Sequence, residues 1–355
     1  MNFQGIALCC PCCRSKLAER NSELFACTGC DLRFPVILGI PDLRLFPDPY
    51  IEAAADVQKG ERIGHRLGDL SFEELVDYYY STTDAVPPHH ARQYKRGLMS
   101  AVGRAEGALN SWQQLIGEGA RARGESVLDI GCGTAPLTVA AVGRFAEIVG
   151  VDISFRWLVV AKKRLMEAGV RAPLICACAE ALPFPDGSFD RAVFDSSLET
   201  SQDQRKAVRE GRRVLRKGGV LCISTPNRYS LGPDPHIGLW AGGYLPDRWL
   251  EAYARRQNAV PPRRNLLSAR SLQSLLTDAG FEDIGIALPQ VPSEQRRHFR
   301  ASMRLLIDGY HVARRLPVSR DVLRWIGPTV HAVARKPSAD PLLTNGLGAS
   351  VLMRP

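Results

Sequence analysis

Apolar positions along this chain of 355 residues change their spacing from region to region, and the changes mark out its parts. Within residues 51–123 they recur at helical intervals. Phe72, Leu75 and Val76 follow Ser71, and Glu74 stands three residues after that Ser, the signature of a capping box. A helix is expected to start at Ser71 and close around Tyr78, Tyr79 and Tyr80, and a second to run over about 91–117. Pro87-Pro88 breaks the pattern between them, and the His89-His90 pair beside it reads as a solvated polar loop.

From residue 125 short apolar runs alternate with amphipathic stretches. Runs at 127–130, 148–152, 174–178, 189–195 and 220–224 have the length and apolar content of buried strands. A helix at 268–280 and strands at 281–288 and 329–335 complete the series. Strands alternating with helices predict an α/β fold with a largely parallel sheet. No window approaches the ~18 consecutive apolar residues a membrane span needs, and the first thirty residues carry cysteines and charges where a secretory signal would have an apolar core. The expectation is a cytoplasmic chain, at most peripheral to the inner face of a membrane.

The ten cysteines are unevenly placed. Cys132, Cys176, Cys178 and Cys222 lie in apolar runs and read as small buried residues. The other six crowd the first thirty positions. Cys10 and Cys13, then Cys27 and Cys30, form two CxxC pairs, which let two tight turns present four thiolates to one structural Zn²⁺. Cys9 and Cys12 form an overlapping CxxC; the Cys10/Cys13 register places Pro11 after the first ligand, as in zinc ribbons. Disulfides are the competing reading, which the missing secretory signal disfavours. The segment resembles the short zinc ribbons whose best-known members partner methyltransferases, and the likeness runs from residue 8 to 46. The resemblance implies a structural or docking module. Residues 1–56 are net −2, which also argues against a nucleic-acid ribbon.

The first strand of the α/β series runs into Asp129-Ile130-Gly131-Cys132-Gly133-Thr134-Ala135-Pro136. Glycines are needed where a ligand approaches the backbone closely or φ is positive. The second strand ends in Asp152, about twenty residues on, where a carboxylate in a doubly wound fold meets ribose hydroxyls. Leu182-Pro183-Phe184, Phe189-Asp190 and a helix ending in Arg213-Val214-Leu215-Arg216-Lys217-Gly218-Gly219 follow in order. Together these five motifs, spread over 125–225, resemble the class I S-adenosylmethionine-dependent methyltransferases. That likeness implies a doubly wound, seven-stranded Rossmann-like sheet. It also implies that Asp129 and the Gly131-Cys132-Gly133 turn hold the methionine end of the cofactor, with Asp152 and Ile153 at the ribose. The acid that usually sits near the adenine is Cys178 here, leaving the backbone of Ala179 and Glu180 to make that contact. Asp195 and Ser196 would face the reactive methyl. Many relatives have Glu-His after the fourth strand, whereas this chain has Glu199-Thr200. Glu199 is accordingly a candidate catalytic group beside a structural reading as a helix-cap carboxylate, and Asp190 reads as a turn carboxylate.

Methyl transfer from a sulfonium needs mainly alignment and a dry pocket. For a hydroxyl acceptor a general base helps, and His236 is the candidate because residues 225–236 leave the carboxyl end of a core strand. Residues 226–265 read as a lid over the acceptor, with Trp240, Tyr244 and Trp249 stacking on an acceptor or plugging the lid's own small core. The expected parts are a ribbon at 1–46, a linker and helical cap at 47–123, the methyltransferase domain at 124–336 and a tail at 337–355.

The formal net charge of +9 invites a nucleic-acid partner, but its distribution argues otherwise. Residues 1–56, 57–124, 125–225 and 226–355 carry −2, +1, +2 and +8, so nearly all of the excess is carboxyl-terminal and almost all of that is Arg. An insertion at about 292–327 holds eight Arg and three acids, with Phe299, Met303, Leu306, Tyr310 and Ala313 at helical spacing. Such a helix can dock on its own domain, meet an anionic membrane surface or bind phosphate-bearing substrates. These features favour an enzyme that methylates the oxygen of a small molecule, sugar or glycolipid. An RNA methyltransferase is the alternative, weakened by the lack of an Asn/Asp-Pro-Pro-Tyr/Phe motif where Asp195-Ser196-Ser197-Leu198 stands. A non-catalytic cofactor-binding protein is a third.

Overall fold

The computed structural model describes residues 1–83, 86–117, 124–232, 238–257, 260–261, 263–289, 296 and 301–338. At the amino end β1 (Asn2–Phe3) pairs with β2 (Ile6–Ala7), and β3 (Leu17–Asn21), β4 (Leu24–Cys27), β5 (Arg33–Ile37) and β6 (Ile40–Pro41) form a second small antiparallel sheet. Four helices follow: α1 (Ala53–Gly64), α2 (Phe72–Ser81), α3 (Pro88–Met99) and α4 (Ala101–Ile116). The capping box at Ser71 and Glu74 is formed.

Two expectations in this region are corrected. The stretch at 91–117 is two helices that part at Ser100. His89 and His90 are not in a loop, because Pro88 occupies the first turn of α3, where its fixed φ favours a helix start. His90 is buried, with Nε2 2.6 Å from Gln257 Oε1.

The α/β part contains β7 (Ser126–Ile130), α5 (Pro136–Ala140), β8 (Glu147–Asp152), α6 (Phe155–Glu167), β9 (Leu174–Cys176), β10 (Phe189–Asp195), α7 (Gln204–Val214), β11 (Leu215–Pro226), α8 (Asp247–Arg256), α9 (Ala269–Asp278), β12 (Glu282–Ala287), α10 (Ala301–Ala313), α11 (Pro317–Ile326) and β13 (Thr329–Arg335). Its seven strands lie in the order β12-β13-β11-β10-β7-β8-β9, all parallel except β13, which runs antiparallel to both neighbours. This is the doubly wound sheet the strand–helix alternation predicts. Residues of β7, β8, β10 and β11 are apolar on both faces because helices cover both faces. On one face Trp112 of α4 fills the core and donates its indole N–H to Ile223 O at 3.0 Å.

The amino-terminal module is fused to this sheet rather than tethered to it. Asp42 bridges Cys176 in parallel, and Leu43 donates its N–H to Cys176 O at 2.7 Å. The chain after β6 thereby covers the open edge of β9. Beyond it, Arg44 donates to Asp42 at 2.6 Å, to Asp56 at 2.7 Å and to Ile153 O at 3.1 Å. Arg156 at the start of α6 donates to Asp56 at 2.8 Å, to Asp48 at 3.2 Å and to Tyr79 Oη at 3.1 Å. Three carboxylates thus meet two guanidiniums, and the Phe155 N–H at 2.8 Å supplies Asp56 with a further donor. Burial of these charges is tolerable because every one is paired and hydrogen-bonded.

This cluster changes the meaning of the amino-terminal charge. Three of the seven acids in residues 1–56 are consumed internally, and residues 1–46 alone hold five basic and four acidic residues. The ribbon itself is not acidic.

Candidate functional site

Strand order reverses at β7, which has β8 on one side and β10 on the other. A crevice opens at such a point beyond the carboxyl ends of the strands. The protein has a cavity of ≈ 320 Å³ there, lined by Ile130 and Gly131 at the end of β7, Val151 and Asp152 at the end of β8, Ala177 after β9, and Phe194 and Ser196 at the end of β10.

The glycine turn is locked from below. Gly131 and Cys132 both donate their N–H groups to Val151 O, at 2.8 and 2.9 Å. Gly131 has φ +77°, and a Cβ there would collide with the Cβ of Ser197, so both conformation and space demand glycine. Gly133 donates its N–H to one Asp152 carboxylate oxygen at 2.8 Å, and Ser154 N–H meets the other at 2.8 Å. Those bonds aim the carboxylate at the end of β8. Opposite it, Ser196 adopts φ +57°, held by its N–H to Ser224 O at 2.7 Å. A non-glycine residue in that region at a strand end is strain retained by its surroundings.

Three carboxylates crowd the site. Burial, then the charges of Asp195 and Asp152, push Asp129 well above the usual carboxylate range. Burial pushes Asp152 up to about 6, against the two backbone donors that favour its charged form. Asp195 is raised by burial as well, opposed by Ser224 and by the charge of Arg104 on α4. Asp129 Oδ2 is buried with no hydrogen-bond partner. A set of like charges with an orphaned acceptor calls for a cationic, donor-bearing ligand, which S-adenosylmethionine is: its sulfonium and ammonium offer positive charge and its ribose offers donors. The residues present fit that cofactor.

Of the residues named from sequence, Gly131, Gly133, Asp152, Ile153, Ala179, Glu180 and Ser196 line the cavity. Asp129, Cys132, Cys178 and Asp195 are not among the lining residues, and the first three are buried. Cys132 points its sulfur toward Gly150. Cys178 donates its thiol to Phe46 O at 3.6 Å, so it braces the chain that crosses the site instead of facing the cavity. Glu180 accepts the Asp203 N–H at 3.1 Å, at the start of α7. Glu199 is buried behind the wall, accepts the Thr225 hydroxyl at 3.0 Å and is pushed up to about 7 by burial. Asp190 accepts from Ser126 N–H at 2.9 Å and Arg216 at 2.5 Å, a joint between strands. His236 lies outside the described residues.

Sequence reasoning missed one wall of the cavity. Phe46, Asp48, Pro49 and Tyr50, in the linker after the ribbon, line it together with Trp157. Ser154 donates its hydroxyl to Asp48, and Tyr50 Oη accepts the Arg263 N–H at 2.7 Å, which ties this strap to the lid region. Two prolines flanking Asp48 were the available signal, since they stiffen a linker that must hold one path. In the lid, Trp240, Tyr244 and Trp249 are exposed and plug no core; Tyr244 Oη donates to Tyr229 O at 2.8 Å.

At the ribbon, the sulfurs of Cys10, Cys13, Cys27 and Cys30 all lie within 4.8 Å of one another, with Cys13–Cys27 at 3.3 Å and Cys10–Cys30 at 3.6 Å. Zn–S bonds of ~2.3 Å in a tetrahedron require sulfur separations of roughly 3.8 Å, so the cluster fits one Zn²⁺. Cys9 is buried and donates its N–H to Pro183 O at 3.0 Å, while Cys12 is exposed. Arg14, one residue past Cys13, donates to Leu182 O at 2.5 Å and Glu210 at 2.8 Å. The first knuckle therefore rests on the loop whose earlier residues, Ala179 and Glu180, line the cavity.

A sequence profile described as a methyltransferase domain matches residues 128–223. The ubiquinone/menaquinone biosynthesis C-methyltransferase UbiE of Escherichia coli is 32% identical over 179 residues, covering 46% of this chain and 68% of that protein. This chain belongs to the S-adenosylmethionine-dependent methyltransferases. Among solved structures, the methyltransferase resembles an S-adenosylmethionine-dependent methyltransferase of Thermotoga maritima at 20% identity and a TM-score of 0.44, over 70% of this chain and 96% of that one. A phosphoethanolamine N-methyltransferase of Haemonchus contortus, in complex with S-adenosyl-L-methionine, is 21% identical with a TM-score of 0.42, over 65% of this chain and 52% of that one.

Proposed function

We propose that this methyltransferase transfers its methyl group to an oxygen of a small molecule, sugar or lipid-linked glycan, and that the cavity at the ends of β7, β8 and β10 binds the cofactor. The observation that carries the cofactor assignment is the Asp152 carboxylate, held at the wall of the cavity by the Gly133 and Ser154 N–H groups. In this reading the Gly131 to Gly133 turn and Asp129 hold the methionine end. Asp152, fixed by Gly133 and Ser154, receives the ribose hydroxyls, and the strap of Phe46, Asp48 and Tyr50 closes the site against water. When bound, the cofactor supplies an activated methyl on a cationic sulfur. The chain's part is to align the acceptor and exclude solvent. His236 takes the acceptor proton, and Glu199, held by Thr225, positions the loop after β10. Cys10, Cys13, Cys27 and Cys30 hold a structural Zn²⁺.

A second reading, methylation at carbon, is favoured by the 32% identity to a C-methyltransferase. Incubating the chain with S-adenosylmethionine bearing a labelled methyl and either a lipid-plus-metabolite extract or total RNA separates the acceptor classes. Label in an extract product that hydriodic acid releases as methyl iodide marks an O-methyl ether, and label that survives it is on carbon; label in RNA alone would remove both. His236→Gln should lower kcat with cofactor affinity unchanged.

A further inference from the structure

The Arg-rich insertion folds as the helical hairpin of α10 and α11, joined by residues 314–316. Its inner face differs by one position from the sequence expectation. Ile307 is buried where Leu306 was expected, and Leu306 is exposed. Met303, Ile307 and Tyr310 form the inward row, with Tyr310 Oη donating to Pro289 O at 2.8 Å. Phe299 lies outside the described residues.

Leu305, Gly309 and Val312 stand at i, i+4 and i+7 on the outer side of α10, Leu316 follows in the connection to α11, and all are exposed, Leu305 by 74%. Val318, Val322 and Trp325 repeat the pattern at i, i+4 and i+7 on α11, with Val318 81% and Trp325 58% exposed. Two successive helices thus each turn an apolar row outward, and isolated surface apolar residues do not form such rows. Exposed Arg304 and Arg315 and half-buried Arg314 and Arg324 accompany them, and Asp308 is in an ion pair with Arg296.

The hairpin is anchored at the acceptor side of the sheet. Buried Asn227, just past the carboxyl end of β11, donates its side-chain N–H groups to Arg324 O and Trp325 O at 3.3 and 3.0 Å. Its own N–H donates to Pro328 O at 3.1 Å. The end of α11 is therefore tied to the edge of the sheet where strands deliver their site residues.

We infer that α10 and α11 dock on the surface of a bilayer carrying anionic lipid headgroups. Arginines meet the phosphate layer, and Leu305, Val312, Leu316, Val318, Val322 and Trp325 enter the acyl boundary, ~5–10 Å deeper. A partner for this face must be anionic at its surface and apolar beneath, and a bilayer supplies both layers. Among the described residues no helix is long and apolar enough to cross a membrane, so the contact is peripheral. The inference deepens the lipid-linked reading of the acceptor. Vesicle binding is measured without acceptor or turnover, so failure of one is distinguishable from failure of the other.

The test is flotation of the full chain with vesicles of phosphatidylcholine alone or with phosphatidylglycerol at three parts in ten. Binding should appear only with the anionic lipid, fall about 10-fold or more in Arg304→Glu/Arg315→Glu, and fall similarly in Val318→Asp/Val322→Asp. Trp325 should be quenched by brominated acyl chains, an effect lost in Trp325→Phe. S-adenosylmethionine affinity, unchanged in all variants, reports that they are folded. No binding to either vesicle, binding that ignores the charge of the lipid, or a self-associated species that Val318→Asp/Val322→Asp dissolves would overturn the inference.

Discussion

The two ends of the molecule handle charge in opposite ways. At the amino end, Asp42, Asp48 and Asp56 turn inward and pair with Arg44 and with Arg156 of α6. In the carboxyl-terminal hairpin, arginines stay near the surface beside apolar rows that also face out. The same residue type therefore serves cohesion in one region and contact in the other. Net charge by segment could not reveal this, because −2 and +8 say nothing of which charges are paired.

The largest effect that should sharpen this contrast is Asp56→Asn. Asp56 is fully buried and accepts from both Arg44 and Arg156, so its neutralisation leaves two buried guanidiniums short of charge. Unfolding by urea should show a loss of about 3–5 kcal/mol. Stability within ~1 kcal/mol of the parent would mean that the cluster is not buried as described. Next in size is removal of the ribbon's metal by a strong chelator or by Cys27→Ser. Because Cys9 and Arg14 hold the loop at Pro183 and Leu182, melting should shift as a whole and cofactor affinity should fall with it. Two separate melting steps, with cofactor binding unaffected, would show the ribbon to be independent.

At the site, Asp129→Asn should separate stability from binding. Burial and neighbouring carboxylates oppose its charge, so the ligand-free protein should melt higher. S-adenosylmethionine affinity should drop about 10-fold or more with loss of the anion. Asp152 gives the same opposition with pH. Its pKa is raised to about 6 from a lower unfolded value, so its contribution to stability is greatest below the unfolded value and is lost as pH rises through about 6. Cofactor affinity should move the other way, falling as pH drops through about 6; parallel slopes in melting and calorimetry would contradict this. The smallest effect expected is on the hairpin, where Val318→Asp should change stability by less than ~0.5 kcal/mol, since the side chain is mostly in solvent.

Much of the core was legible in the chain because strand length, glycine placement and strand-end acids are local features. Gly131, Gly133 and Asp152 lie in one continuous segment, and their backbone bonds follow from it. The strap was not legible, since Phe46, Asp48 and Tyr50 reach the cavity only through long-range partners, Cys178, Ser154 and Arg263. His90 was misplaced for a related reason. A proline pair reads as a break, yet the second proline starts α3 and a distant Gln257 buries the imidazole. Leu306 and Ile307 show the limit of periodicity, for both fit a helical row and only the neighbouring strand end decides which turns inward.

Calorimetric titration of S-adenosylmethionine into the full chain and into Asp152→Ala at pH 8 tests the central claim most directly. The parent should bind at a single site, and Asp152→Ala should weaken that binding about 10-fold or more while keeping a cooperative melt. Equal affinity in the two proteins, or no binding by the parent, would contradict the account.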